Sequence, residues 1–463
     1  MVKKFGELWK LVLQSALLYG AAGTVVRVGA NVLLLPVVLK TLSASELALW
    51  WMFLALGGLA NLADFGFSQA ITRIYSYLWA GASDFDVEGM RPPPEKSEPN
   101  LECLRRLNAT ARSLYVRLAW GSTAVLAVVG SIILMPKVQA SSQPLQTWLT
   151  WMAFLLAVGY GLGSSHWFAA CQGTNRMRDL QASNLWSGLA YLAVAGILLI
   201  AGCGLLSMVL ATAMRGLIAR HLCCLAYCRV VPDVGGKPAV ADMSMLDRIW
   251  PNAWKFGVLS LGVYFITNSG VIISGYILGD EVTASYGLTA QIGLFLTNFS
   301  ALWLTVKWPQ LTILRTQGRL DEMAALFARR LALMVATFLF LATALVLFGN
   351  PILEWKGSNT KLLSTPYLIV YLFYLGQQQF YAQFGTLTFT ENVVPFFKLS
   401  LFTGLGLAYL SVVMTAWFDL WGLVLAPLIA TMAGSTWYPV WRGFRGQPLT
   451  VRQFIRVGVL GRT

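Results

Sequence analysis

An arginine in the middle of an apolar run is the first residue of this chain that demands a partner. Arg27 sits at the centre of a run over 13–39. A charge held at the centre of a bilayer costs about 2.5–3.5 kcal/mol on insertion scales. Asp64, late in the next apolar run, carries the opposite charge. Folding the two runs back about a turn near residue 43 puts Asp64 level with residue 22. That leaves five residues to Arg27, roughly 7.5 Å at 1.5 Å per residue. The pair either fixes a helical hairpin or also lines a polar cavity. Arg73 and Lys255 lie nearer one membrane face. They either set the orientation of the chain or extend a set of cations around Arg27. Such a set would suit an anionic, phosphate-bearing group, because arginine presents a planar fork of donors to phosphate oxygens.

A second chemistry is written at helical spacing. Tyr367, Tyr371, Tyr374, Gln378, Tyr381 and Gly385 follow one another at intervals of 4, 3, 4, 3 and 4, and so share one face of a helix. Polar groups turned to lipid are penalised, so this face should meet protein or water. Aromatic rings with hydroxyls and amides beside them suit sugar rings, and equally suit hydrogen bonds between packed helices. Asn31 and Asn61 are further candidates for sugar contact. Metal chemistry has little to work with: there are two histidines, His166 and His221, and six cysteines in no ligand-like spacing. No metal, no cofactor and no catalytic residue is expected.

The elements that must position these residues follow from composition. The 463 residues are 57% hydrophobic and only 12% charged, against roughly 25% charged in a soluble domain. So little charge cannot coat a water-facing surface of this size. Soluble enzymes, disordered tails and disulfide scaffolds are thereby excluded. Twelve apolar segments of spanning length fall at 13–39, 47–70, 114–135, 148–171, 181–201 and 205–228, then at 253–278, 284–306, 327–349, 363–386, 395–416 and 420–441. The expected fold is an all-α polytopic membrane protein with two six-helix lobes, residues 1–228 and 229–463. With the N-terminus inside, 28 of the 34 lysines and arginines fall in or beside inner segments. Only Lys40, Lys137, Lys356 and Lys361 fall outside, so both termini are expected in the cytoplasm. The net charge of +14 is then a matter of topology, with no need for a nucleic-acid partner. Two basic stretches, Leu101–Leu114 within the long cytoplasmic loop 74–112 and Val451–Val459 in the tail 442–463, have the spacing of interfacial helices.

A weak repeat recurs after 236 residues: Leu42–Trp50 opens the second segment and Leu278–Tyr286 opens the eighth. Six segments per half give the repeats one orientation, about an axis along the membrane normal. The stretch Leu42-Ser43-Ala44-Ser45-Glu46-Leu47-Ala48-Leu49-Trp50, followed by Leu62-Ala63-Asp64-Phe65-Gly66-Phe67-Ser68-Gln69-Ala70-Ile71-Thr72-Arg73, resembles the opening of bacterial polysaccharide flippases. These belong to the multidrug/oligosaccharidyl-lipid/polysaccharide (MOP) exporter superfamily. Pro309-Gln310-Leu311, Gly318–Glu322 and Trp421–Ala426 agree in order. Ala48 departs from the family's usual glycine, and the loop after the second segment is unusually long.

The resemblance implies a flippase of the bacterial inner membrane that moves a polyprenyl-diphosphate-linked oligosaccharide outward by alternating access. It implies membrane lipids and other polysaccharide-assembly proteins as partners. The diphosphate would meet Arg27, Asp64, Arg73 and Lys255; the sugar would meet Asn31, Asn61 and the tyrosine stripe. A multidrug exporter of organic cations is the alternative within the superfamily, and a membrane glycosyltransferase or polymerase the alternative outside it. The orientation is open to direct test in a background with the native cysteines replaced. A cysteine introduced by Met90→Cys should be shielded from membrane-impermeant thiol reagents in intact cells, and one introduced by Ala140→Cys should react. The reverse pattern would invert the topology.

Overall fold

The computed structural model describes residues 34–79, 81, 98–232, 242, 244–316, 318–355, 357–358, 360–389 and 395–460. Helix is the regular structure of all of these segments, as lipid requires of a chain with no barrel to close. Residues 34–41 are the described end of α1. There follow α2 (Ala44–Leu62), α3 (Phe67–Trp79), α4 (Leu101–Gln139), α5 (Pro144–Gly163), α6 (Ser165–Gly173), α7 (Met177–Ile200) and α8 (Leu205–Cys228). The second half supplies α9 (Ser244–Ile277), α10 (Asp280–Thr305), α11 (Trp308–Thr316), α12 (Leu320–Trp355), α13 (Thr365–Phe389), α14 (Phe397–Ala433), α15 (Trp437–Arg445) and α16 (Val451–Leu460). Eight helical stretches among the described residues are long and apolar enough to cross a membrane. One of them reverses at Asp419 (φ 49°, ψ −131°), which divides α14 into two arms. With α2 and the 25-residue α13, each of the twelve apolar segments overlaps a helix, the first over its described end. The chain is an all-α, multi-pass membrane protein.

Two compact units divide the described residues. The first holds 34–42 and Phe53–Ser260; the second holds Ser43–Met52 and Leu261 onward. In the first unit α7 packs along α8, α5 lies against α4 and α8, and α3 is held by α4 and α6. One of its buried clusters joins Tyr75, Leu104, Tyr115, Trp167 and Tyr227. The buried hydroxyls there are bonded: Tyr75 donates to Asn108 Oδ1 at 3.1 Å and Tyr227 to the Leu104 carbonyl at 3.2 Å. In the second unit α12 packs on α10 and α16, and α13 on α14 and α15. Phe327, Phe384 and Phe454 fill the junction. Both halves carry a short helix between spans, α3 before α4 and α11 before α12. The repeat is also visible as a contact inside the second unit. Trp51 packs against Gly287, its counterpart 236 positions on, where a Cβ would collide with the indole.

Two boundaries differ from the sequence expectation. The segment at 47–70 is no single helix: α2 ends at Leu62, and Phe65 (φ 43°) and Gly66 (φ 73°) turn left-handed before α3 begins. The stretch from Leu101 is no separate interfacial helix but the start of the 39-residue α4. Leu104, Leu107 and Ala111 are buried in the first unit's cluster, so this amphipathic face meets protein where lipid headgroups were expected. In the tail, α16 likewise turns Phe454 and Val457 into the protein and leaves Arg452 and Arg456 exposed.

Helices α9 and α14 touch backbone to backbone within the second unit. A Cβ on Gly404 would meet the Gly262 carbonyl, and one on Gly262 would meet Ser400 backbone. Neither backbone can yield without separating the helices. Gly404→Ala should cost about 1–3 kcal/mol, read as a lowered thermal midpoint in detergent. Gly406→Ala, on the same helix with nothing within 4 Å of the new methyl, should leave the midpoint unchanged.

Candidate functional site

The break between α2 and α3 is built around Asp64. Its carbonyl accepts the Phe67 amide at 2.8 Å, and its carboxylate accepts the Ser68 amide at 3.2 and 3.3 Å. The first amides of α3 have no partners within their own helix, and a carboxylate beside them also meets the positive end of the helix dipole. Tyr115, reaching over from α4, donates its hydroxyl to Asp64 Oδ1. Asp64 is therefore a capping residue with a phenol partner. The sequence reading, which placed it in a continuous helix opposite Arg27, missed both contacts. Asp-Phe-Gly was the available signal, since a short acid followed by glycine is turn chemistry even inside an apolar run.

The turn rests on α9. A Cβ on Gly257 would meet the Phe65 ring and, at 3.1 Å, its Cα, so glycine allows the left-handed residue to approach. Phe67 and Trp250 extend the contact with ring centroids 6.0 Å apart. The structure thus brings the segment of α9 that carries Lys255 beside the turn that carries Asp64. Lys255 itself is half-buried. Arg73 lies on α3, two turns beyond the cap; its side chain and that of Asn61 are outside the described residues, as are Arg27 and Asn31 entirely.

The stripe on α13 faces protein, but most of it is packed rather than open. Tyr371 meets Tyr286 edge to face at 5.5 Å, and Tyr374 donates to the Ile266 carbonyl on α9 at 3.1 Å. Both are less than a tenth exposed, as is Tyr381. Neighbouring helices close over Tyr371, Tyr374 and Tyr381, which is the packed use of this face that the spacing left open beside sugar contact. Tyr367 and Gln378 stay half-buried, with Tyr367 against Trp421 at 4.6 Å between ring centroids. The flanking glutamines are tied down. Gln379 bonds Ser300 (2.8 Å) and the Thr297 carbonyl (3.0 Å) on α10. Gln377 bonds Thr431 and Thr436. His166, at the start of α6, is buried with Nδ1 3.0 Å from the Gly163 carbonyl. Among the described residues no group of three or more His, Cys, Asp or Glu is placed to hold a metal.

The chain matches no protein-family model and no curated protein. Solved structures are more informative. An inward-facing multidrug resistance MATE family transporter of the MOP superfamily superposes with a TM-score of 0.60 at 13% identity, covering 94% of this chain and 99% of that one. Lipid II flippase MurJ, in an inward closed conformation, gives 0.60 at 12% identity over 96% and 90%. An outward-facing MATE transporter gives 0.54 at 11% identity over 94% and 98%. The chain shares the fold of these solved transporters. Within that fold the Asp64 turn is an internal helix break, and its stability should depend on the carboxylate. Asp64→Ala strands the Tyr115 hydroxyl and the Ser68 amide together, at a cost of about 1–3 kcal/mol. Asp64→Asn keeps an acceptor and should cost less. A thermal midpoint for Asp64→Ala equal to that of the unaltered protein would contradict the capping role.

Proposed function

We propose that this protein is a flippase that carries a polyprenyl-diphosphate-linked oligosaccharide from the inner to the outer leaflet of a bacterial cytoplasmic membrane by alternating access. The observation that carries this reading is the state of Asp64. It is the one acidic residue inside any of the twelve apolar segments, and it is already engaged by a helix N-terminus and by Tyr115. A carrier of organic cations would want such an acid free. An anionic substrate instead calls for the basic residues, Arg27 foremost, with Arg73 and Lys255 nearer the cytoplasmic side. The likeness to a flippase of lipid II supports a lipid-linked substrate. The positive-inside count supports a cytoplasmic location for both termini.

In this reading Arg27 receives the diphosphate with its fork of donors, while the polyprenyl tail stays in lipid. Tyr367 and Gln378, the accessible members of the α13 stripe, contact the sugar together with Asn31 and Asn61. Tyr371, Tyr374 and Tyr381 support that face from behind. With the inside negative, outward movement of an anionic head is downhill by about 2.3 kcal/mol per charge per 100 mV.

Deleting the gene should cause a lipid-linked sugar to accumulate in the cytoplasmic leaflet, and its identity names the substrate. The double substitution Arg27→Ala with Asp64→Asn removes both charges, so neither is left buried alone. It should fold and yet fail to transport. Full transport by the folded double variant would remove Arg27 from the substrate site. Unaltered leaflet distribution of every lipid-linked sugar on deletion would overturn the flippase reading.

A further inference from the structure

A second basic site lies within the first unit, on residues other than Asp64 and Lys255. Helices α4, α5 and α8 enclose a groove of about 440 Å³, lined by Arg112, Val116 and Trp120 from α4, Leu156 and Tyr160 from α5, and Arg220 from α8, with His166 of α6 at its edge. That volume lies within the roughly 300–1,000 Å³ of small-molecule pockets. Arg220 is fixed in place: Nη1 donates to the Tyr160 hydroxyl at 2.6 Å, and the guanidinium stands 5.2 Å from the Tyr160 ring centroid. Arg112, on the facing helix, is exposed.

The polar and apolar ends of this groove are segregated. Arg112 is the twelfth residue of α4, Tyr160 lies three residues before the end of α5, and Arg220 lies eight before the end of α8. Arg112 lies just outside the apolar segment 114–135, which sets the arginine end of the groove near the headgroup level of one leaflet. It is the leaflet at which the arginine-rich ends of α4, α7 and α8 emerge, the cytoplasmic one by the positive-inside count. Away from the arginines, the groove wall is apolar and open: Trp120 is 72% exposed and Leu156 66%. In a membrane protein such a surface meets hydrocarbon.

We propose that this groove binds an anionic phospholipid of the cytoplasmic leaflet, its phosphate between Arg112 and Arg220 and an acyl chain along Val116, Trp120 and Leu156. The phosphate supplies the charge that two arginines on one groove require. The exposed wall gives an acyl chain a surface that a free phosphate could not use. None of its lining residues is among those assigned to the transported substrate, so it would hold a resident lipid on the first unit whatever that substrate is.

The test uses the full-length protein in detergent, titrated with phosphatidylglycerol or phosphatidylcholine and read by native mass spectrometry. Phosphatidylglycerol should be retained in preference, by roughly tenfold or more if each arginine contributes near its usual ~1 kcal/mol. Arg112→Gln with Arg220→Gln should abolish the preference, and the single Arg112→Gln, at an exposed position, should reduce it without touching the Tyr160 contact. Arg117→Gln, on the same helix but outside the groove, should leave it intact. Brominated phosphatidylglycerol should quench tryptophan fluorescence in the unaltered protein and less so after Trp120→Leu. Equal retention of the two lipids, or retention of phosphatidylglycerol by the double variant at the level of the unaltered protein, would overturn the proposal. So would displacement of the lipid by inorganic phosphate alone, which would mark the groove as a soluble-anion site.

Discussion

A chain this poor in charge cannot hand its backbone to water, so every interruption of a helix must bring its own hydrogen-bond partners. That constraint decides where this protein bends. At Ser43 the entry to α2 closes a reciprocal box: the Ser43 amide and hydroxyl bond Glu46 Oε2 at 3.0 and 2.9 Å, while the Glu46 amide reaches back to the Ser43 hydroxyl at 3.3 Å. At Asp64 one carboxylate serves the start of α3 and a phenol from α4. At Ser164 the hydroxyl donates to the Tyr160 carbonyl at 2.7 Å as α5 gives way to α6. Each bend is a polar side chain spent on backbone, and each lies at the end of a span rather than at its centre.

The same constraint explains the motifs by which the sequence resembles MOP exporters. The Ser-Ala-Ser-Glu turn before α2 is the capping box just described. In Asp64-Phe65-Gly66, the acid caps and the glycine accepts a left-handed φ of 73°. These residues mark chain geometry before they mark any substrate. A fold held by such devices can persist at 12–13% identity, because little else in an apolar helix has to be a particular residue type.

The spans were legible because an apolar run near twenty residues long, bounded by charge, has few other uses. The boundary at 63–66 was not, because Ala63, Phe65 and Phe67 keep the run apolar while the backbone turns. Hydropathy measures side chains and is blind to that turn. The basic stretch before α4 was misplaced for a related reason: Leu104, Leu107 and Ala111 define an apolar face, but spacing alone does not say whether lipid or protein covers it. On α13 the period located the face correctly and said nothing of its depth. Tyr286, which covers Tyr371, is 85 residues away in sequence. Tyr115, 51 residues from Asp64, is a partner of the same kind, visible only once the helices are packed.

The capped state of Asp64 changes what Arg27 is needed for. An acid in lipid that lacked other partners would need Arg27 simply to exist there, and the pair would be spent on structure. Asp64 instead takes a backbone amide, the positive end of α3 and a phenol, and so carries much of its stabilisation from within the first unit. Arg27 is then not obliged to neutralise it. On the proposed reading Arg27 is available to a negative group arriving from outside, and a diphosphate presents more negative charge than a single carboxylate. On that reading the substrate can take Arg27 without unfolding the turn on which α3 begins.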